Sequence, residues 1–133
     1  MRGWGVVPLV VWLAGPGAAV ADEPKKLSLN AVGDQDIQVT NGISLARDCV
    51  ARSGPRVGII EAPKHGKLTE RPVDMFPTYK ADNPRFPCNE RRIKGVGAYY
   101  KAKPGFRGND RFRFALVYYD GTAEFYTVDI KVW

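Results

Sequence analysis

Two segments near the end of the chain alternate between apolar and polar residues with a period of two. The first, RFRFALVYY, places three large apolar side chains on one face: Phe112, Phe114 and Leu116. The second, AEFYTVDIKVW, alternates in the same way. A period of two is that of a β-strand with one buried face. The intervening DGT, starting at Asp120-Gly121, predicts a hairpin turn because glycine readily adopts a positive φ.

The rest of the chain also favours strands. No segment shows sustained i, i+3, i+4 apolar spacing, and ten prolines and fourteen glycines interrupt the chain. We predict six further strands, in the segments KLSLNAV, DIQVT, ISLARDCVA, RVGIIEAP, GKLTE and AYYKA. Many short strands separated by turn residues predict an all-β sandwich rather than a βαβ fold.

The middle of the chain is less regular. The stretch RPVDMFPTYKADNPRFPCNERRIKG has four prolines and no clean alternation. We predict an irregular excursion at about residues 71–95. A connection of this length is either functional or an insertion that needs a covalent staple, and both readings stay open.

The first 21 residues have the order of a secretory signal peptide. One basic residue precedes an apolar run at 6–14, and small residues end in Ala19-Val20-Ala21. This is the order of n-region, h-region and A-x-A cleavage site. The apolar run is shorter than the roughly 20 residues that span a bilayer, although a membrane anchor is the alternative. We predict a signal peptide at 1–21, and one domain at 22–133 that is periplasmic or secreted.

The two cysteines, Cys49 and Cys88, both lie after the predicted cleavage site. An even pair in an exported protein usually forms a disulfide, because the compartment is oxidising. The alternative is two unpaired buried thiols. There is no CxxC, so neither a thioredoxin-like redox site nor a zinc knuckle is indicated.

Charge is unevenly distributed. The segment from Arg47 to Arg113 contains 16 Lys and Arg but only 7 Asp and Glu. Outside the cytoplasm, the nearby polyanions are lipids, phosphorylated glycolipids and acidic glycans, so we expect an anionic envelope polymer rather than nucleic acid. The candidate anionic-ligand surface comprises Arg85, Arg91, Arg92 and Lys94. The alternative is a solvated basic face that keeps the protein soluble.

The stretch KPGFRGNDRFRF combines glycines, aromatic residues and basic residues in twelve positions. We predict a structural corner formed by Pro104, Gly105, Phe106, Gly108, Asp110 and Phe112. Proline followed by glycine suits the centre of a type II turn, and an aspartate accepts hydrogen bonds from loop N–H groups. A phosphate-binding loop would be followed by a helix, whereas a strand follows here.

The segments APKHGKL, YYKAKPGFRGNDRFRFALVYYDG and YTVDIKV resemble bacterial cadherin-like and other Ig-like surface domains. The shared pattern is P-x-x-G, an aromatic strand, P-x-x-F-x-G-x-D-x-F, a D-G turn and a closing V-x-V strand. Short exported proteins of proteobacteria show a similar arrangement. The resemblance covers mainly the second half of residues 22–133. It implies a Greek-key β-sandwich and assigns no activity.

Cadherin-like domains often bind calcium between repeats, so the resemblance raises a calcium site as an alternative to no cofactor. The motif GDQD offers Asp34 and Asp36, which Asp110 or Asp120 could join. Calcium takes six to eight oxygen ligands, and two carboxylates supply too few.

Residues for catalysis are scarce. His65 is the only histidine and lies in a predicted turn, and no serine occurs in a nucleophile-elbow motif. We therefore expect no enzyme. The predicted function is a non-catalytic envelope module that binds an anionic component or a protein partner. The alternatives are a purely structural accessory protein without a ligand and a calcium-dependent adhesion domain.

Overall fold

The computed structural model describes residues 23–133 and, before them, residues 3, 5, 8–12 and 15. The predicted cleavage site at 19–21 lies outside the described residues. In the described part of the chain, no helix is long and apolar enough to cross a membrane.

Seven strands and one short 3-10 helix make up the described fold, which is all-β. The strands are β1 (Lys25–Ala31), β2 (Ile37–Gly42), β3 (Arg56–Glu61), β4 (Gly66–Met75), β5 (Ile93–Ala102), β6 (Gly108–Val117) and β7 (Ala123–Val132). The 3-10 helix, Phe86–Glu90, lies between β4 and β5.

The strands form two sheets that pack face to face as a β-sandwich, as predicted. One sheet has the order β1-β7-β6-β3 and the other has the order β2-β5-β4. All neighbours are antiparallel except β1, which runs parallel to β7. One end of the sandwich therefore carries the connections 43–55, 76–92 and 118–122. The other end carries the connections 32–36, 62–65 and 103–107.

The alternating residues of the last two strands provide the core. Phe112, Phe114 and Leu116 of β6 are fully buried. The ring of Phe112 stacks on Tyr100 of β5 at 5.4 Å between centroids, and the ring of Phe114 stacks on Tyr126 of β7 at 4.9 Å. Each buried aromatic side chain removes a large apolar area from water, so this column joins the two sheets.

The corner lies at the end that carries 103–107. Gly105 has a φ of 81°, and the N–H of Phe106 donates to the carbonyl of Lys103 at 3.0 Å, as a type II turn requires. Gly108 follows with a φ of 129°. The ring of Phe106 packs against the core and stacks on His65 at 4.3 Å.

Two predictions about elements were wrong. The segment ISLARDCVA is a turn closed by a single bridge between Leu45 and Ala51, because Cys49 has a φ of 68° and reverses the chain. The irregular excursion is also shorter than predicted: β4 extends to Met75 and β5 begins at Ile93, which leaves 76–92. Pro72 is tolerated within β4 because β4 is an edge strand.

Candidate functional site

A disulfide fastens two irregular segments at the end of the sandwich opposite the corner. Cys49 of the 43–52 turn is bonded to Cys88 of the 3-10 helix, which confirms the predicted pair. Cys88 is completely buried beside Leu45 and Ile93, the first residue of β5. This small second core fixes the two segments relative to the three-stranded sheet.

A cleft of about 570 Å³ opens between these segments and the β6–β7 hairpin. We call it the arginine cleft, lined by residues 43–47, Arg52, Tyr79, Arg85, 118–120, Thr122 and Glu124. Its three arginines, Arg47, Arg52 and Arg85, come from two segments that are distant in sequence. Within the described chain, none of the three forms an ion pair with a carboxylate.

Hydrogen bonds to the backbone hold Arg85 and Tyr79 in place. The Nε of Arg85 donates to the carbonyl of Leu45 at 2.9 Å, and among the described residues its terminal nitrogens form no ion pair. The amide side chain of Asn89 accepts from the N–H of Tyr79 and donates to its carbonyl, both at 2.9 Å. Arg52 lies over the ring of Tyr119, with its guanidinium carbon 5.6 Å from the centroid.

The opposite wall carries two carboxylates that already have partners. Burial of Glu124 opposes its ionisation, but hydrogen bonds donated by Tyr126 and Lys25 outweigh burial and lower the pKa of Glu124. Hydrogen bonds from the side chain and backbone of Thr122 lower the pKa of Asp120, and the charge of Arg85 adds a weaker contribution. Both groups are therefore ionised at neutral pH, with donors of their own.

This arrangement suits the binding of an anion. A guanidinium presents a planar set of donors that matches a carboxylate or phosphate. The exposed ring of Tyr119 offers a flat surface to an apolar or sugar portion of the same ligand. Among the described residues that line the cleft there is no histidine or cysteine. Ser44 also lines the cleft, and its buried hydroxyl has no hydrogen-bond partner among the described residues.

The structure divides the predicted anionic-ligand surface. Arg85 lines the arginine cleft, whereas Arg91, Arg92 and Lys94 do not. Arg91 and Arg92 are exposed after the 3-10 helix, and Lys94 is exposed on β5. Sequence reasoning missed Arg47 and Arg52, because only the turn at Cys49 brings them to Arg85.

Three of the four carboxylates considered for calcium have other partners, and Asp110 and Asp120 lie at the two ends of β6. Asp36 accepts a hydrogen bond from Arg71 at 2.9 Å, and this bond lowers the pKa of Asp36. Asp110 is buried and accepts backbone N–H groups, while Asp120 is held by Thr122 at the opposite end. In the described residues, no three of His, Cys, Asp and Glu are grouped to hold a metal ion.

Comparison with known proteins gave no match, either to a family model, to a curated protein or to a solved structure. The arginine cleft must therefore be interpreted from its own geometry.

Proposed function

We propose that the protein is a non-catalytic module of the cell envelope that binds an anionic envelope component in the arginine cleft. The observation that carries this proposal is that Arg47, Arg52 and Arg85 line one cleft and, among the described residues, form no ion pair with a carboxylate. Arginines gathered in this way repel one another, and an anionic ligand offsets that repulsion. Phosphorylated glycolipids and acidic glycans both supply such a ligand.

Export is part of the proposal. The buried disulfide is compatible with an oxidising compartment, and the order of residues 1–21 is that of a signal peptide. The strand order β1-β7-β6-β3 opposite β2-β5-β4 supports the proposed Ig-like class, since Ig-type sandwiches pack a three-stranded sheet on a larger one. Mass spectrometry of the exported protein should find Asp22 at its N-terminus, and an intact Met1 would contradict export.

A protein partner that adds a strand to a sheet edge is less well supported. The edge strand β3 exposes Ile59 and Ile60, but the N–H of Val57 at the same edge donates to the carboxylate of Glu70 at 2.8 Å. Arg56 donates to that carboxylate as well. A side chain that caps an edge in this way opposes strand addition. The purely structural protein and the calcium-dependent adhesion domain are supported by no contact in the described residues.

The proposal is tested by binding of a fluorescent phosphorylated glycolipid and of polygalacturonate, an acidic glycan, at low and high salt. The cleft variant is Arg47→Ala/Arg52→Ala. The matched control is Arg107→Ala/Arg111→Ala, which removes the same charge from exposed residues at the corner. We expect the cleft variant to bind at least one of the two probes about tenfold more weakly, which corresponds to about 1.4 kcal/mol.

The control should change the affinity by less than about threefold, because screening weakens distant charges. Equal losses in the two variants would show that only net charge matters. Binding of neither probe by the wild type would also contradict the proposal.

A further inference from the structure

We propose a second anion-binding site, for a phosphate group, on the outer face of the three-stranded sheet. A cavity of about 360 Å³ lies there between the ends of β4 and β5 that adjoin the corner. Its charged lining is Asp36, Lys67, Arg71, Lys101 and Lys103, which we call the lysine patch. Along β5, Lys101 is eight residues from Ile93 in the disulfide cluster, or about 26 Å at the rise of a strand. The lysine patch is therefore separate from the arginine cleft.

The patch contains a like-charge pair that the fold does not neutralise. Lys67 and Lys101 are direct partners in the register of β4 and β5. Like charges at directly opposed positions destabilise a sheet. The N–H of Lys103 donates to the carbonyl of His65, so the pairing continues and brings a third lysine to the same cavity. In the described chain, none of these lysines forms an ion pair.

The neighbouring carboxylate relieves this repulsion only in part. Asp36 binds Arg71 at 2.9 Å, and Arg71 lies over the ring of Tyr99 at 4.5 Å. The ring of Tyr99 can lie flat because position 97 is glycine, where a Cβ would approach the ring to 2.7 Å. Arg71 is thus fixed at the rim of the cavity, and its ion pair with Asp36 largely neutralises its charge. Lys101 attracts Asp36 more weakly than Arg71 does, and Lys67 and Lys103 form no ion pair among the described residues.

A polar group in the floor of the cavity also lacks a partner. The hydroxyl of Thr69 lies between Lys67 and Arg71 along β4 and is buried without a hydrogen bond. An unpaired buried hydroxyl is unfavourable, and a phosphate oxygen that reached it would accept its hydrogen bond. Three ammonium groups beside a hydroxyl donor suit the oxygens of a phosphate, which carries up to two charges on a compact group.

The experiment measures melting temperature with inorganic pyrophosphate against sodium chloride of equal ionic strength, using protein purified after expression of the full-length chain. The site variant is Lys67→Gln/Lys101→Gln. The matched control is Lys26→Gln/Lys131→Gln, which removes the same charge from exposed positions of the four-stranded sheet. The cleft variant Arg47→Ala/Arg52→Ala separates this proposal from the function proposed above.

Without ligand at low salt, the site variant should melt about 1–5 °C above the wild type, because the repulsion of the paired lysines is removed. Pyrophosphate should raise the melting temperature of the wild type, the control and the cleft variant. At least half of that rise should be lost in the site variant.

Equal rises in the site variant and the control would overturn the proposal. So would an absence of any rise with pyrophosphate, even if the protein bound vesicles containing phosphatidylglycerol, because that result would indicate a membrane surface instead. Loss of the rise in the cleft variant alone would assign the phosphate to the arginine cleft and also overturn it.

Discussion

The hydroxyl of Tyr100 donates a hydrogen bond of 2.9 Å to the Oδ2 of Asp110, and both residues are buried. The same carboxylate accepts the backbone N–H groups of Lys64 and His65, at 3.1 and 3.0 Å. One side chain of β6 thus fastens β5 of the opposite sheet and the connection between β3 and β4. Burial, together with the hydrogen bond to Asp110, raises the pKa of Tyr100, so its hydroxyl stays a donor.

Replacement of Asp110 by alanine should destabilise the protein strongly. The N–H groups of Lys64 and His65 and the hydroxyl of Tyr100 would lose their acceptor, at about 1–3 kcal/mol for each group that stays buried. Tyr100→Phe removes one hydrogen bond only and should cost about 1 kcal/mol. Urea denaturation measures both variants. A wild-type midpoint for Asp110→Ala would contradict the structural role of the corner.

Gly108→Val should also lower stability. Its φ of 129° lies in a region that a β-branched residue disfavours, so we expect a loss of about 1–3 kcal/mol. Gly58→Val is the matched control, since a Cβ there meets no atom closer than 3.9 Å and its φ is not positive. Arg107→Ala, at an exposed position of the corner, should change stability by less than about 0.5 kcal/mol. Similar melting temperatures for the two glycine variants would refute this account.

Removal of the disulfide should reduce the stability of the protein and also weaken anion binding in the arginine cleft. The bridge joins cysteines 39 residues apart, for which loop entropy predicts about 4 kcal/mol. We expect Cys49→Ser/Cys88→Ser to melt at a lower temperature than the wild type. Full reduction of the wild type should lower its melting temperature by the same amount. If the double variant kept the wild-type melting temperature and the wild-type affinity for the two anionic probes, the bridge would have no role in holding the cleft.

Glu70→Ala should destabilise the protein by about 1 kcal/mol and promote self-association. The variant would free the N–H of Val57 beside the exposed Ile59 and Ile60 on the edge of β3. An uncapped apolar edge pairs with other chains. Light scattering after size-exclusion chromatography measures the effect. The control is Glu61→Ala, which removes a carboxylate from β3 itself. Monomers of equal stability for both variants would show that Glu70 does not protect the edge.

Stability should fall in acid in part through Glu124. Its pKa is lower in the folded protein than in the unfolded chain, so the unfolded chain binds more protons as the pH falls. The stabilisation is complete above the ordinary pKa of 4.5 and is lost as the pH drops through the folded value. Glu124→Gln should make the melting temperature depend less steeply on pH between about pH 5 and pH 3. An unchanged slope there would assign the acid sensitivity to other carboxylates.

The part of the fold that could be predicted is the part in which side-chain alternation reports burial directly. Phe112, Phe114 and Leu116 alternate with exposed residues, and their strand was predicted correctly. The segment ISLARDCVA alternates well enough to look like a strand. It turns because the positive φ at Cys49 and the bond to Cys88 outweigh local preference, and neither is visible in a period of two.

The candidate sites were harder to predict because no local pattern marks them. Arg47, Arg52 and Arg85 meet only after the disulfide and the small core behind it have formed. Lys67 and Lys101 become neighbours through the register of two strands separated by the excursion. Counts of basic residues located the charged half of the chain, but tertiary packing decides which of those residues share a cavity.

The parallel pair of β1 and β7 has a consequence for biosynthesis. Lys25 pairs with Tyr126, and β7 lies between β1 and β6 in its sheet. A nascent chain that has not yet reached Ala123 leaves β1 and β6 without the strand that joins them. Contacts this far apart in sequence form slowly, because a long loop must close first. The four-stranded sheet can therefore be completed only after residues 123–132 have left the ribosome, so the order of synthesis delays the folding of the first strand until the last one exists.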